Sequence, residues 1–549
     1  MDGESTIPSS GGRKRNRRRT ALICALITLI LAVIFWQAGT LKCGYGLHVD
    51  EVFTFMLANH QHKNGHLSLS PKDGKVYSGE ELWNEFMTTA GNNKRFDYAN
   101  VFFNQSKDVH PPLYYVLIHT VSSLFPNMDV AKIGLIVNIP LACIAFCQFV
   151  WLASKLGLKK YNAIAISALY VLGAGFISYA VFFLRMYCLM TVWVNFLIMV
   201  LLEFPPEEKA PLKYCACLGF ALLGGALTQH YFIIYAFFAC ALYAAFVIRS
   251  RNWQKLISSI GTAGIAAGLE VAIFPAVIRH LLKSGRGKEA IGKALSFSQF
   301  RKFIGSFIMQ IDDNAFGGLL LAVLILLMVM LIVSSRTKDK HKPSKAASGY
   351  CLLVIPALLY IVIISAIAPY KDYRYIVPAA GALYIAVLSG LINLIRRLSA
   401  RAVVFVLLLA CLMSVTTYRG GAVNLRRDYE RLPIPYKDLT CVFIYHIPDR
   451  WTTNSAFIQL RLFDKVVFVS DKNWGKYKNT DYHSGSLAVY LPKDNQVHKR
   501  FKLRRKDVLS ELKKHNGLSS CTQIDAAKYL FYDIYYITGS DGQENKQAS

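Results

Sequence analysis

The recurrence of apolar runs of about 20 residues constrains this chain most, because that is the length an α-helix needs to cross a bilayer. Of its 549 residues, 54% are apolar types and only 17% are charged. About eleven runs qualify, counting two short spans within 214–248. The others are 20–39, 133–154, 162–180, 187–203, 256–279, 315–334, 349–368, 376–395 and 401–418. The sequence therefore predicts a polytopic α-helical membrane protein with about 11 transmembrane helices.

Basic residues set the predicted orientation, because cytoplasmic connections carry an excess of Lys and Arg. The basic connections are 13–19, 155–160, 249–251, 336–345 and 396–397. All of them fall on one side if the short apolar segment 113–125 lies in the interface and does not cross. We predict a multi-pass protein of the plasma (cell) membrane with a cytoplasmic N-terminus and an extracytoplasmic C-terminus. The net charge of +28 then reflects topology and contact with membrane lipids, not nucleic acid.

Composition divides the chain into four predicted parts. They are a basic cytoplasmic N-terminus (1–19), a transmembrane catalytic domain (20–420), a small extracytoplasmic α/β domain (421–539) and a polar disordered tail (540–549). Within the transmembrane domain, 40–125 is predicted to be the first outer loop, with juxtamembrane helices. In the α/β domain, strand-like runs alternate with a helix-like segment at 506–515. These runs are 440–445, 465–469, 487–491 and 532–537.

The twelve cysteines show no metal-ligand spacing. Most lie inside apolar runs, where Cys behaves as a small hydrophobic residue. Cys441 and Cys521 lie in the predicted α/β domain. They would form a disulfide only in an oxidising compartment, and the sequence leaves this open.

Two short polar motifs stand near the first apolar run. Asp50 and Glu51 follow it directly, and Asp108-Val-His110-Pro-Pro precedes the segment 113–125. The carboxylate pair is either a solvated loop feature or a general base whose neighbour orients a hydroxyl or binds a metal. The two prolines fix the backbone and begin a helix, which would hold Asp108 and His110 at its N-terminus. A helix cap explains Asp108 alone but not the whole string.

Other candidate residues lie at the predicted outer ends of the spans, apart from Glu270, which lies several residues inside its span. Each has a structural alternative: Arg185 as a snorkelling anchor, His230 as a core histidine, and Glu270 as the partner of Arg279. The loop after Glu270 would bind a lipid phosphate or form a solvated basic face. The remaining members of this set are Tyr187, His280, Lys283, Arg286, Lys288, Lys371 and Arg374. Because every motif falls on one predicted face, we expect a single outward-facing site.

These motifs resemble those of the GT-C superfamily of membrane glycosyltransferases. They are most similar to the bacterial branch related to protein O-mannosyltransferases and aminoarabinose transferases. The resemblance follows the order of the motifs along residues 20–420: Asp50-Glu51, His110 to Tyr115, Leu184 to Tyr187, Leu227 to Tyr231 and Arg374 to Pro378. It implies a GT-C fold, a sugar donor linked to polyprenyl phosphate, and a glycan, lipid or protein acceptor on the outer face of the membrane.

The resemblance also implies roles for individual residues. Asp50 would be the catalytic base and Glu51 its acceptor-positioning neighbour. The substrate-binding residues would be Asp108, His110, Arg185, Tyr187, His230, Lys371 and Arg374. A separate expectation, drawn from the cations beside a buried carboxylate, is a lipid-phosphate site: Glu270, Arg279, His280, Lys283 and Arg286. Relatives often carry an acidic residue just before the Arg-Met-Tyr motif, whereas 181–184 is apolar here. The cofactor therefore stays open, with a divalent metal among the alternatives but no clear metal motif.

Two rival classes make different predictions. A polytopic transporter or lipid flippase of the cell envelope would place its polar residues near the bilayer midplane, in broken helices and often with repeat symmetry. An envelope receptor or scaffold would act through the α/β domain and would leave Asp50, Asp108 and His110 unexplained. The gathering of polar motifs at one predicted face favours the glycosyltransferase.

Overall fold

The structure is a computed structural model of the chain. It describes residues 10–42, 46–61, 71–91, 93–282, 289, 292–293, 300–336, 345–396, 400–420, 434, 436–437, 439–482, 484–495, 499–524 and 530–539. The predicted tail at 540–549 lies outside this set. The described residues form two units. The helical unit lies within 1–41, 109–114 and 135–423, and the sheet unit lies within 42–108, 115–134 and 424–549.

Helices dominate the described chain. In chain order they are α1 (Ser10–Lys42), α2 (Val49–Asn59), α3 (Gly79–Met87), α4 (Tyr98–Lys107), α5 (Leu113–Leu124), α6 (Val130–Lys155), α7 (Lys160–Leu172), α8 (Ala174–Phe176), α9 (Tyr187–Glu203), α10 (Leu212–Ala226), α11 (Tyr231–Arg249), α12 (Trp253–Ile273), α13 (Ala276–Leu282), α14 (Phe300–Ile311), α15 (Leu320–Arg336), α16 (Lys345–Ile367), α17 (Val377–Ile395), α18 (Ala400–Thr416), α19 (Phe457–Leu460), α20 (Trp474–Tyr477) and α21 (Arg505–His515). Two π-helical turns extend α8 and α14, at Ile177–Val181 and Asp312–Phe316.

The helical unit has the architecture of a multi-pass membrane protein, because helices satisfy their backbone hydrogen bonds internally in lipid. Within the described residues, seven helices are long and apolar enough to cross a membrane, and nine spans result if each of two bent pairs is one span. The pairs bend by 55° between α7 and α8 and by 83° between α14 and α15. The predicted spans at α9 and α10 have 17 and 15 residues. The count of about eleven crossings therefore stays a prediction.

The predicted bend inside 214–248 is confirmed. Helix α10 ends at Ala226 and α11 begins at Tyr231, with a turn between them. The backbone N–H of Gln229 donates to the carbonyl of Gly225 at 3.1 Å. A Cβ atom at Gly225 would lie 2.2 Å from the Phe232 ring. Only glycine therefore lets the two helices approach this closely.

A six-stranded mixed sheet forms the centre of the sheet unit, in the order β1-β3-β2-β4-β6-β5. The strands are β1 (Val76–Tyr77), β2 (Thr440–Tyr445), β3 (Lys465–Ser470), β4 (Ser486–Pro492), β5 (Ser520–Ile524) and β6 (Tyr532–Thr538). Strands β3, β2 and β4 run parallel, and the other pairs are antiparallel. Every residue of β2 is buried, as expected for a central parallel strand covered on both faces.

The four predicted strands and the predicted helix of the α/β region are confirmed by β2, β3, β4, β6 and α21. Strands β1 and β5 carry no strand-like pattern in the sequence, because β1 has two residues and β5 is a polar edge strand. Pairing of β1 with β3 brings part of the predicted first outer loop into the sheet unit. The sequence had predicted that this loop belongs to the transmembrane domain.

The disulfide that the sequence left open is not formed. Cys441 is buried in β2 and Cys521 is exposed in β5, and both are free thiols. Strands β4 and β6 lie between them in the sheet. At about 4.8 Å per strand the two residues are about 14 Å apart. This exceeds the reach of a disulfide.

Asp73 fastens the first-loop segment to the ends of β2 and β3. Its carboxylate accepts hydrogen bonds from Tyr445 Oη at 3.1 Å, Ser470 N at 3.0 Å, Ser470 Oγ at 2.5 Å and Asn473 Nδ2 at 2.6 Å. Burial, and then the nearby Asp73 carboxylate, raise the pKa of the Tyr445 hydroxyl, which keeps it a donor. The network ties the chain before α3 to the sheet.

Asp73→Ala is expected to lower the melting temperature of the full-length protein in detergent by roughly 5 °C or more. The reason is that hydrogen bonds to charged groups contribute about 1.5–3 kcal/mol each, and the donors would lose their acceptor. Thermal unfolding followed by circular dichroism measures the shift. Lys72→Ala, at an exposed neighbour, is the control. Equal melting temperatures for the two variants would show that the network does not stabilise the protein.

Candidate active site

The two carboxylates of the first motif have different surroundings in the sheet unit. Both lie in the first turn of α2. Glu51 is 1% exposed, and its Oε2 accepts a hydrogen bond from the backbone N–H of His48 at 2.7 Å, which caps the helix. The Asp50 side chain keeps 30% of its surface exposed, with Oδ2 3.8 Å from His48 Nδ1. Glu51 therefore fixes the start of α2, and Asp50 is the carboxylate that a substrate can reach.

Helix α2, which carries Asp50, is held in place by packing along its length. It buries Phe55 and Met56 and packs against α3, α4 and the helical turn at 447–456. At its other end, Asn59 Nδ2 donates to the Met87 carbonyl at 2.8 Å and to Ser122 Oγ at 3.1 Å. Side chains held on packed helices are positioned more accurately than side chains on loops.

Asp108 and His110 stand at the junction of α4 and α5. The backbone N–H of Asp108 donates to the carbonyls of Asn104 and Gln105, both at 3.1 Å, and closes α4. Two buried prolines follow His110, and α5 begins directly after them. The helix start that the prolines predict is confirmed. The backbone of Asp108, however, ends the preceding helix.

Arg185 is buried in the helical unit and contacts His110. It is 5% exposed, and its Nη2 lies 3.2 Å from His110 Nε2. A guanidinium only donates hydrogen bonds, so His110 Nε2 accepts and the imidazole proton sits on Nδ1. Arg185 occupies a short turn before α9, where its backbone N–H donates to the Phe183 carbonyl at 2.7 Å. This burial differs from that of a snorkelling anchor, whose charged head stays in water.

Arg374 is also buried, at 7% exposure. Its guanidinium lies 5.4 Å from the Phe183 ring and 5.1 Å from the Tyr375 ring. Its Nε is 3.4 Å from Asp372 Oδ2, and Asp372 Oδ1 accepts a hydrogen bond from the Arg374 backbone N–H at 3.1 Å. The carboxylate thus fixes both the turn and the side chain. Arginine stacks on aromatic faces more readily than lysine does.

Aromatic rings link Arg374 to the turn that carries Arg185. The Tyr375 ring centroid lies 6.1 Å from that of Tyr187 and 5.7 Å from that of Tyr231. Tyr187 also stacks on Phe183 at 6.1 Å. Three motifs that are far apart in sequence therefore meet in the helical unit. The sequence placed them on one face, and the structure brings them into contact.

Four helices of the described chain begin around this cluster. Helix α5 begins at Leu113, whose N–H donates to the Leu227 carbonyl at 2.9 Å, just before α11. Helices α9 and α11 begin at the clustered tyrosines, and α17 begins two residues after Tyr375. Helix N-termini carry partial positive charge and bind anions. Together with two buried guanidiniums, they make this place suited to an anionic group.

A histidine pair lies at the start of α11 and in α13. His230 Nε2 is 3.4 Å from His280 Nδ1, and the Phe274 ring centroid lies 5.4 Å from that of His280. Glu270 is 7% exposed, and its Oε1 has no hydrogen-bond partner among the described residues. The alternative role of Glu270 as the partner of Arg279 finds no support among the described residues, where Arg279 is exposed on α13 and forms no ion pair with Glu270.

Most of the predicted loop cations lie outside the residues that the structure describes. Lys283, Arg286 and Lys288 lie outside the described residues. Lys371 is exposed, with its Nζ 5.5 Å from the Phe303 ring. Within the described part of the chain, no three His, Cys, Asp or Glu side chains lie close enough to hold one metal ion.

Sequence reasoning missed two features of the cluster. It did not identify Phe183 as the ring that contacts both Arg374 and Tyr187. It also gave no role to Asp372, although the Asp-x-Arg spacing in 372–374 is a detectable signal. Carboxylate and arginine two residues apart can pair across a tight turn, as they do here.

The chain matches no protein-family model and no curated protein sequence. It is similar to the solved structure of ArnT from Cupriavidus metallidurans bound to undecaprenyl phosphate, with a TM-score of 0.49 and 10% identity over 94% of this chain and 98% of that chain. An Archaeoglobus fulgidus oligosaccharyltransferase in the apo form has a TM-score of 0.44 and 11% identity, covering 91% of this chain and 69% of that chain.

Proposed function

We propose that this protein is an integral membrane glycosyltransferase. It moves a sugar from a polyprenyl-phosphate donor to a glycan, lipid or protein acceptor on the outer face of the membrane. The observation that carries the proposal is the cluster of buried Arg185 and Arg374 at the beginnings of apolar helices. A polyprenyl chain stays in the bilayer and presents its phosphate at the helix ends, where this cluster lies.

The arginines suit the leaving group. When the bond between the sugar and the phosphate oxygen breaks, the electron pair goes to the phosphate, whose charge must be stabilised. The planar guanidinium groups of Arg185 and Arg374 match phosphate geometry and can bind it in a bidentate way. His110 orients Arg185. Tyr187, His230 and Lys371 are proposed to complete the substrate-binding set, together with Asp108.

Asp50 is the proposed general base. A sugar hydroxyl is a poor nucleophile, and a carboxylate within hydrogen-bond reach activates it by accepting its proton. The acceptor oxygen then forms the new bond to the sugar carbon, and polyprenyl phosphate leaves from the opposite side, with inversion. Glu51 holds the start of α2 and so positions Asp50.

A lipid-phosphate site around Glu270, Arg279, His280, Lys283 and Arg286 is the second location at which the donor could bind. Of these residues, His280 contacts His230, next to the tyrosine cluster. We place the donor phosphate at Arg185 and Arg374 because both are buried, whereas Arg279 is exposed. A transporter or flippase is the alternative function, and it would need polar residues in the middle of its spans.

The proposed orientation has a direct test in labelling by a membrane-impermeant maleimide. Lys472→Cys in the sheet unit is expected to react from outside, and Lys160→Cys at the start of α7 is expected to react only after the membrane is opened. Both positions are exposed. The native cysteines are replaced by Ser, so that only the introduced cysteine can react. External labelling at position 160 would contradict the proposed topology.

The function itself is tested by mass analysis of surface glycans, lipids and proteins from a strain lacking the gene. We expect one sugar substituent to disappear and to return with the wild-type protein. Return with a variant carrying both Arg185→Gln and Arg374→Gln would show that the arginine cluster is not the donor site. An unchanged set of surface molecules would contradict the proposal.

A further inference from the structure

A basic cavity lies in the sheet unit, apart from every residue assigned above. Its volume is 460 Å³, and its cationic lining comes from Lys493, Lys502, Arg504, Arg505 and Lys506. Seven of the sixteen Lys and Arg residues between 440 and 539 fall within 493–506. Five of these seven cations line the cavity, which makes it basic.

The segment 501–504 holds its cations in fixed directions. Phe501 and Leu503 pack against the core of the sheet unit, whereas Lys502 and Arg504, which alternate with them, are exposed. This alternation is that of an extended chain with one face buried. Two cations therefore project from the same side of an anchored backbone. Such preorganisation reduces the entropy lost on binding a ligand.

Arg505 connects this segment to the sheet. Its Nη1 lies 3.1 Å from Asp533 Oδ2 in β6, and its Nη2 donates to the Pro492 carbonyl at 3.1 Å, at the end of β4. Among the described residues, the acids that line the cavity are Asp494 and Asp507, both exposed. Asp507 pairs with Arg504 at 2.8 Å. The lining nevertheless holds five cations against two carboxylates. The cavity therefore stays net positive.

The position of these cations contradicts the local preference of the helix. Arg505 and Lys506 form the first turn of α21, where the macrodipole disfavours positive charge, and Arg504 provides no side-chain cap. Sequences break such a local rule chiefly where another requirement acts. An anion in the cavity would interact favourably with both the cations and the helix N-terminus.

We propose that this cavity binds phosphate groups, carried either by a lipid head group or by a soluble phosphate ester. Arg and Lys are the side chains that recognise phosphate, and the volume suits a small ligand. The site lies outside the arginine cluster of the helical unit and does not depend on the proposed transferase activity.

The test uses the full-length protein in detergent, with inorganic pyrophosphate and dioctanoyl phosphatidic acid as separate probes. Dioctanoyl phosphatidylcholine, whose zwitterionic head group has no net charge, is the reference. The variant combines Lys502→Gln, Arg504→Gln and Lys506→Gln. The control combines Lys465→Gln, Lys472→Gln and Lys476→Gln, which remove the same charge from exposed positions of the same unit. Binding is measured by calorimetry, and melting without ligand checks that each variant folds.

We expect one or both phosphate probes to bind the wild-type protein. The cavity variant should bind them about tenfold or more weakly, and the affinity of the control variant should lie within about twofold of wild type. Binding should weaken as salt is raised. Binding of phosphatidic acid alone would identify a lipid head group, and binding of pyrophosphate as well would identify the phosphate itself. Equal losses in both variants, no loss in the cavity variant, or no binding to wild type would overturn the proposal. If the triple variant does not fold, the single variant Lys502→Gln is measured in its place. A several-fold loss of affinity would support the proposal, and no loss would overturn it.

Discussion

Asp50→Asn is expected to lower the turnover of sugar transfer by about 10²–10⁴ while donor affinity changes little. The amide keeps the shape of the side chain but cannot accept the proton of the acceptor hydroxyl. The side chain is partly exposed and does not cap α2, because Glu51 performs that role. The fold should therefore survive. Turnover and donor binding of the purified variant are the measurements.

The matched control is Glu81→Gln, an exposed carboxylate in the first turn of α3. It should retain near-normal turnover. Asp73, although closer to the centre of the loop, is unsuitable as a control because four hydrogen bonds depend on it. Near-normal turnover of Asp50→Asn would return the carboxylate pair to a structural role.

Arg185→Gln is expected to lower turnover by about 10²–10³, the loss typical when one stabiliser of a developing negative charge is removed. Arg185→Lys should recover part of it, because the charge remains but the bidentate fork is lost. The buried site also requires a melting measurement of each variant. A folded Arg185→Gln with unchanged turnover would exclude the guanidinium from the reaction.

Arg279→Gln combined with His280→Gln separates the two locations for the donor phosphate. If the phosphate lies at Arg185 and Arg374, this pair should raise the Michaelis constant for the donor only slightly. A large increase, with Arg185→Gln inactive only through misfolding, would instead favour the site around Glu270. A change in acceptor affinity alone would contradict a donor-phosphate role for Arg279 and His280.

Sequence pattern predicted those parts of the structure that periodicity controls. The strand runs and α21 match because a buried strand or an amphipathic helix is visible in its own residues. The turn before Tyr231 matches because the apolar run 214–248 is long enough for two short spans with a bend between them. The motifs that carry the clustered tyrosines were predicted to lie on one face of the membrane, because alternating spans place every second connection on the same side.

Other features depend on contacts between distant segments, which a single sequence does not encode locally. The two-residue β1 is a strand only because it pairs with β3. Glu51 became a helix cap through its contact with His48. The separation of Cys441 from Cys521 follows from the strand order, and spacing along the chain does not indicate it. The pairing of Asp372 with Arg374 requires the turn that holds them.

Sugar transfer by purified protein in lipid nanodiscs tests the central claim most directly. The donor is a polyprenyl-phosphate sugar labelled on the sugar, and the acceptor is a membrane extract from the strain lacking the gene. A nanodisc has no second compartment, so transport gives no signal in it. Movement of the label to the acceptor therefore reports the chemical transfer alone. We predict that the wild-type protein releases polyprenyl phosphate and moves the label covalently to the acceptor, and that Asp50→Asn does not. Label that remains on the lipid with a folded wild-type protein, while the same protein moves it across sealed vesicles, would contradict the account and support a flippase.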